Sequence, residues 1–408
     1  MGFLPDILRN SYGIVLAQVI LLAASPVLSR LYSPEAFGVF ALFFAVVSLV
    51  SVAATGRYEM AISLPKEDGQ ARALLRLSTI LSLITGLIAF LALSQRQWLP
   101  EQFVNDYLPP SSAWMLAISI VLAAFLLIVH YWLVRGSAFT SISNSRIVQS
   151  LVFAGTGVGF AIVGVGADGL IWAFVLGQLS RLLTMYVRAT GMMDPAASLK
   201  LAAKRYRDFP LFNAPAALLT AFRAQLPVFV FSSTFTSGQT GQYEMVNRAI
   251  GTPMSFVALA IGDVLHQRMS TARHEARSLF PIVKLFAMAL SAIALPPVII
   301  VMIFGPPLFG FVFGAEWQEA GRYAQILAPA FFVRFVMTPL SRALIVSENV
   351  RVNSMWQVMS TITFAIACLM GIRYGVGGLL IAISIHEVMA YLLYGWLIVR
   401  CTRTTEDR

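Results

Sequence analysis

Charged side chains are scarce in this chain, and a few of them stand in almost wholly apolar surroundings. Arg223 occupies the middle of such a run in LLTAFRAQLP. Arg181, Arg248 and Arg334 lie nearer the ends of theirs, and Glu387 sits beside His386 in ISIHEVMAYLL. A guanidinium is planar, keeps its proton and donates paired hydrogen bonds, which suits it to phosphate. A carboxyl in a low-dielectric setting gains proton affinity and can load and release a proton near neutral pH. These residue types point to an anion held by arginines, with Glu387 as a proton carrier and His130, in LLIVHYWLVRG, as a second candidate. Blander roles fit the same residues. If the runs cross a membrane, Arg181 and Arg334 can extend to the inner interface and Arg248 to the outer one. Glu387 can pair permanently with Arg223, and His130 can be a hydrogen-bonded structural residue. Arg223 itself is too deep to extend out, and a mid-membrane arginine normally faces a cavity or a partner.

The elements that must position these groups are helices. Hydrophobic residues make up 58% of the 408 and charged residues 12%, about half the charge of a soluble chain. Apolar runs recur at 11–29, 38–56, 77–95, 113–134, 147–166, 169–187, 211–232, 244–262, 281–304, 322–340, 353–371 and 376–399. Each has about the length that crosses a hydrocarbon core of about 30 Å. The expectation is an all-α, polytopic membrane protein with about twelve transmembrane helices. The first run lacks a small-residue cleavage site and has a weak basic flank, so it reads as a retained helix and not a signal peptide.

Placing the N-terminus inside puts 21 of the 29 lysines and arginines on inner segments. Only Arg30, Arg96, Arg322 and Arg373 then fall on outer ones. That asymmetry predicts that both termini are cytoplasmic. It also accounts for the net charge of +10, as basic loops facing an anionic inner leaflet, and argues against a nucleic-acid partner. Arg30 and Arg57 flank the first helix pair, at its outer and inner edges. Arg57, in GRYEM, either touches an anionic headgroup or acts as an ordinary inner anchor, with Glu59 balancing it. Cys368 and Cys401 show neither metal-ligand spacing nor a disulfide framework. No phosphate-cradling glycine loop is present, so neither a metal, a cofactor nor direct ATP use is expected.

Two stretches repeat. LYSPEAFGVF at 31–40 and TFTSGQTGQY at 234–243 share an aromatic, a Ser or Thr, a Gly and a second aromatic at fixed spacing. Tyr32, Ser33, Gly38 and Phe40 match Phe235, Thr236, Gly241 and Tyr243 at an offset of 203. Pro26 and Pro227 stand in the outer parts of the two leading helices. Gly166, Gly169 and Leu170 match Gly375, Gly378 and Leu379 at an offset of 209. The reading is a six-helix half over 1–187, a basic cytoplasmic connector over 188–210, and a second half over 211–408. Both halves start on the same side, so the repeat is parallel, about an axis along the bilayer normal. Asn144, Gln149, Asn353 and Gln357 open the fifth and eleventh helices, where capping and interhelical hydrogen bonds compete with sugar binding as their role.

LSRLYSPEAFGVFALF, followed by GRYEMAISLPKED at 56–68, resembles the N-terminal signature of Wzx-like oligosaccharide flippases. These are polysaccharide biosynthesis proteins of the multidrug/oligosaccharidyl-lipid/polysaccharide exporter superfamily. Twelve spans, a basic mid-length connector and an outer loop FGPPLFGFVFGAEWQEAG (304–321) before the tenth helix agree with it. The resemblance implies a MATE-like fold, two pseudo-symmetric lobes in a V around a central cavity, working by alternating access. It implies transport of undecaprenyl-diphosphate-linked oligosaccharide across a bacterial inner membrane, for lipopolysaccharide O-antigen, capsule or exopolysaccharide. It also suggests a polysaccharide polymerase and a chain-length regulator as partners, beside membrane lipids. In that job every desolvated charge and hydroxyl of the headgroup costs free energy. A water-filled cavity lined by Arg223, Arg57, Arg248, Arg334 and Arg30 would replace the lost solvation while the lipid tail stays outside.

The alternative is a multidrug exporter of the same superfamily, but cationic drugs call for acids, and deep arginines here outnumber deep acids. An enzyme such as an O-antigen polymerase or ligase needs a large outer loop, and the longest here has about 17 residues. Lipid II flippases generally carry two helices beyond the twelve. A transporter, not an enzyme, is expected.

Overall fold

A computed structural model describes residues 3–95, 107, 112–192, 194–195, 197–275 and 278–404. Most of the outer loop expected after the third span lies outside these residues, as do Arg96, Arg277 and Arg408. Among the described residues every regular element is helical. Eleven segments are long and apolar enough to cross a membrane, and the last, Val350–Thr402, holds two helices separated at Ile372–Tyr374. The twelve helices read from hydropathy are therefore present, and the chain is a multi-pass helical membrane protein. Its large apolar side chains are exposed along these helices, as at Ile88, Ile303 and Met389. In water such a surface is a liability, whereas in hydrocarbon it matches its solvent.

The elements are α1 (Phe3–Leu31), α2 (Pro34–Ala54), α3 (Asp68–Ser94), α4 (Ser112–Arg135), α5 (Phe139–Ile162), α6 (Ala167–Tyr186), the short α7 (Leu199–Arg205) and α8 (Ala214–Thr234). They continue with α9 (Ser237–Val246), α10 (Thr252–His274), α11 (Phe280–Phe313), α12 (Gln318–Leu340), the short α13 (Arg342–Val346), α14 (Val350–Gly371) and α15 (Gly375–Thr404). Several helices overrun their apolar runs. The third run opens at 77 but α3 opens at Asp68; the fifth opens at 147 but α5 opens at Phe139. Backbone donors still need partners beyond the hydrocarbon, and the helical ladder supplies them. As a result Arg146, which hydropathy leaves in an inner loop, lies two turns inside α5.

A second difference concerns 304–321, expected as an outer loop. Helix α11 breaks at Phe304 (φ −114°, ψ 16°) and resumes to Phe313. Pro306 and Pro307 open the resumed part, where a missing N–H costs nothing and φ is already set. Pro26 and Pro227 likewise lie inside continuous helices, α1 and α8.

The chain forms two compact units, Met1–Gly241 and Gln242–Arg408. In the first, α1 packs along α5, α5 along α6, α3 along α4, and α2 against α4, α6 and α8. In the second, α11 packs along α12, α12 along α15 and α10, and α14 along α15. Packing thus groups α8 with α2, while the proposed duplication boundary at 188–210 concerns descent and topology.

Equivalent positions of the repeat adopt equivalent geometry. The Ser33 hydroxyl accepts from the Ala36 N–H at 3.4 Å, and the Thr236 hydroxyl accepts from the Gln239 N–H at 3.3 Å. Gly38 packs so tightly on Ser237 that a Cβ would stand 1.8 Å from its carbonyl oxygen, and a Cβ on Gly241 would meet the Pro34 carbonyl oxygen at 1.8 Å. Pro34 and Ser237 are themselves equivalent at the offset of 203, so the crossing is reciprocal. Gly166 and Gly375, at φ 68° and 70°, start α6 and α15 in the same left-handed turn.

Candidate functional site

The GRYEM stretch makes the turn from α2 towards α3. Gly56 and Arg57 both take left-handed backbone, φ 59° and 62°. Glycine does so freely, but for arginine the conformation costs about 1–2 kcal/mol. It brings Arg57 Nε to Asn213 Oδ1, to which it donates at 3.0 Å, and sets Arg57 Nη1 3.4 Å from Glu59. Glu59 is fully buried and accepts from the Thr55 hydroxyl. Burial raises the proton affinity of its carboxyl above the ordinary glutamate range, opposed by the Thr55 hydrogen bond and the Arg57 charge. The Tyr58 hydroxyl donates to the Ala203 carbonyl at 3.3 Å. Asn213 closes a π-helical turn, Phe209–Asn213, directly before α8. The strained turn is therefore tied to the entry of the seventh span, and strain of this kind persists only where the surroundings over-determine it.

A second constellation lies inside the first unit. His130 on α4, Arg146 on α5 and Arg181 on α6 are electrostatic partners of one another. Arg181 Nη1 donates to Gln149 Oε1 at 3.3 Å. His130 Nδ1, Arg146 Nη1, Arg181 Nε and Gln178 Oε1 are buried without a hydrogen-bond partner. Each buried polar atom left in that state costs about 1–3 kcal/mol. Leu133, Ile142 and Met185, almost wholly buried, lie three or four residues further towards the near ends of the same three helices. This apolar layer stands between Arg181 and those helix ends.

In the second unit Tyr243 is the hub. Glu244, Arg334, Cys368 and Glu387 lie within electrostatic reach of its hydroxyl. Glu244 is the electrostatic partner of Arg248, one turn further on, and hydrogen-bonds Asn247. Asn247–Gly251 forms a π-helical turn between α9 and α10, a departure from the α-ladder that often marks functional sites. Arg334 is exposed on α12 and donates to the Ser255 hydroxyl at 3.4 Å. Glu387 is 8% exposed on α15, 3.8 Å from His386 Nδ1. The other ring nitrogen of His386 lies 2.9 Å from the Thr363 hydroxyl. Among the described residues, no three of His, Cys, Asp and Glu are grouped to hold a metal ion.

The structure thus brings Arg334 and Glu387 within reach of Tyr243, ties Arg248 to the neighbouring Glu244, and puts Arg57 and His130 in two other settings. Arg223 is half-buried at the middle of α8, and Arg30 is exposed in the last turn of α1. Asn144 accepts from the Tyr12 hydroxyl and Asn353 from that of Tyr394, so both serve as interhelical bonds. Arg146, Gln178, Tyr243 and Glu244 were not read from sequence as site residues. The signal for the first two is their spacing: Arg146, just before an apolar run, stands three residues from Gln149, and Gln178 stands three from Arg181, each pair on one helix face.

A family model described as polysaccharide biosynthesis protein matches residues 27–322. The probable low-salt glycan biosynthesis flippase Agl15 of Haloferax volcanii is 22% identical over 320 residues, 75% of this chain and 64% of that protein. The chain therefore spans a little under two thirds of that relative's length. Among solved structures, the lipid II flippase MurJ in an inward closed conformation superposes with a TM-score of 0.78 at 11% identity, over 98% of this chain and 90% of that one. An inward-facing multidrug resistance MATE family transporter of the MOP superfamily gives 0.67 at 15% identity, over 98% and 96%. At such identities the likeness shows the fold alone, the one these two structures share.

Proposed function

The chain belongs to the polysaccharide biosynthesis protein family, and from that premise we propose that it is a flippase for undecaprenyl-diphosphate-linked oligosaccharide. In this reading it moves the headgroup from the inner to the outer leaflet of a bacterial cytoplasmic membrane by alternating access, with both termini cytoplasmic. The product feeds O-antigen, capsule or exopolysaccharide synthesis, beside a polymerase and a chain-length regulator. Arg223, Arg57, Arg248, Arg334 and Arg30 contact the diphosphate, and Glu387 couples the cycle to protons.

The observation that carries the reading is Arg334. Its guanidinium is exposed within a membrane-length segment, beside the Ser255 hydroxyl and in reach of Tyr243. Bare hydrocarbon does not tolerate an exposed permanent cation, so that face meets water or an anion. A diphosphate fits it better than the cationic drugs of a multidrug exporter do. The acids Glu244 and Glu387 in the same cluster keep the exporter as the second reading.

The test is lipid extraction from a deletion strain, with the sidedness of lipid-linked sugars determined. Complete repeat units accumulating on the cytoplasmic leaflet are expected. Unpolymerised units on the outer leaflet would point to a polymerase. Unchanged lipid-linked sugars with new drug sensitivity would sink the flippase reading in favour of the exporter.

A further inference from the structure

His130, Arg146 and Arg181 come from three helices, yet they stand at one depth. Helix α4 ends five residues after His130, α6 ends five residues after Arg181, and α5 begins seven residues before Arg146. At 1.5 Å per residue each lies about 7–11 Å inside its helix end. The two guanidiniums at one level repel, and among the described residues none of the three groups has a carboxylate as an electrostatic partner. Arg181 donates to Gln149 at 3.3 Å, which leaves most of the donors of the three side chains unused. Three buried nitrogens, His130 Nδ1, Arg146 Nη1 and Arg181 Nε, meet no acceptor. The apolar layer of Leu133, Ile142 and Met185 towards those helix ends removes the usual escape, extension of the head to the interface. Charges held this deep persist where something neutralises them.

We propose that this cluster is a binding site for a phosphoryl oxyanion, built by Arg146, Arg181 and His130 with Gln149 and Gln178. Two guanidiniums and an imidazole supply charge-assisted donors to phosphoryl oxygens. Gln178, 4% exposed with an unpartnered carbonyl oxygen, accepts from the P–OH of a monoprotonated phosphoryl group or from the imidazole N–H. With a fully ionised diphosphate Gln178 is left to accept from the imidazole N–H. A halide cannot span the two guanidiniums with paired hydrogen bonds, so the site favours phosphoryl oxyanions over chloride. Its physiological ligand rests on the flippase reading, in which the group belongs to a lipid-linked diphosphate; its existence does not, since free phosphate has the same chemistry.

The test uses the full chain in nanodiscs, with melting followed as inorganic phosphate, sodium chloride at matched ionic strength, or a polyprenyl diphosphate is added. Phosphate is expected to stabilise the wild type and chloride not to. Arg146→Gln with Arg181→Gln is expected to weaken phosphate binding about tenfold or more. The unliganded double variant should melt no lower than wild type, because the mutual repulsion is gone. A merely structural role predicts the reverse, lower melting with an unchanged response to phosphate. Should the double variant not fold, Arg181→Lys keeps the charge and loses the fork, so weaker phosphate binding supports the site and unchanged binding overturns it. Equal stabilisation by chloride also overturns it. Polyprenyl diphosphate acting at far lower concentration than phosphate assigns the site to a lipid headgroup, and parity assigns it to free phosphate. Failure of the flippase reading shows separately, as unchanged lipid-linked sugars in the deletion strain while phosphate still binds.

Discussion

Glu59 sets a carboxyl with no exposed surface against one hydroxyl and one guanidinium. Burial holds its proton more tightly in the folded chain than in the unfolded one. The folded state therefore binds more protons above the ordinary glutamate range, and by linkage the contribution of Glu59 to stability is fully present below that range and is lost as pH rises through the folded value. Glu59→Gln keeps the shape without the ionisation. Melting of the two purified proteins from about pH 4 to 8 should show wild type losing ground to the variant as pH rises. Wild type gaining ground instead would mean that Thr55 and Arg57 outweigh burial. Arg223, at the middle of α8, carries a second prediction. Arg223→Ala should lower translocation about tenfold or more, the scale of a lost charge-assisted contact, while the chain still inserts. Leaflet sidedness of the lipid-linked sugar reads this, and wild-type behaviour would remove Arg223 from the site. What the sequence made legible for single residues is their place along a helix, as at Arg223, half-buried at the middle of α8, and Glu387, buried on α15. Arg146 was hidden because the apolar run opens after it while the helix opens before it. Arg181 looked able to reach the interface because the layer below it comes from three different helices.

Among elements, the crossing of α2 with α9 depends on the absence of side chains at Gly38 and Gly241. A Cβ at either would stand 1.8 Å from a backbone oxygen, so Gly38→Ala or Gly241→Ala forces the helices apart at a cost of about 1–3 kcal/mol or more. Both substitutions open the same crossing, and the double variant should cost less than the two single changes added. Reversible unfolding in detergent measures this, and full additivity would show that the two glycines act in separate contacts. The π-helical turn Asn247–Gly251 invites a complementary change. Deleting Ala249 restores an α-ladder with the flanking helices still in phase, since a π-turn is one residue spliced into an α-helix, and so removes the local widening beside Tyr243 and Glu244. Membrane insertion should survive and translocation should fail; a fully active deletion variant would strip the turn of a role. Helix existence was legible because an apolar run of membrane length has few alternatives. The π-turns and the break at Phe304 were not, since they depend on tertiary packing and leave no hydropathic mark.

For the whole molecule, direction of transport depends on orientation, and orientation is written in charge. Basic residues stay on the side from which the chain inserts, because moving them across the bilayer against the membrane potential is unfavourable. On the proposed orientation, which follows the 21-to-4 division of lysine and arginine, the turn between α2 and α3 lies inside and the turn between α5 and α6 outside. Lys66 and Val163 are exposed in those two turns. With Cys368 and Cys401 replaced by serine, Lys66→Cys and Val163→Cys give one reporter on each side. A membrane-impermeant maleimide should label the cysteine at 163 in intact cells, and the cysteine at 66 only after the membrane is opened. The reverse pattern would invert the assignment. The turn of Arg57 and Glu59 would then face the outside, and could not be where inward-to-outward movement of a lipid-linked sugar begins. Labelling of both sites in intact cells would mean a mixed topology, incompatible with a parallel repeat whose halves share one orientation.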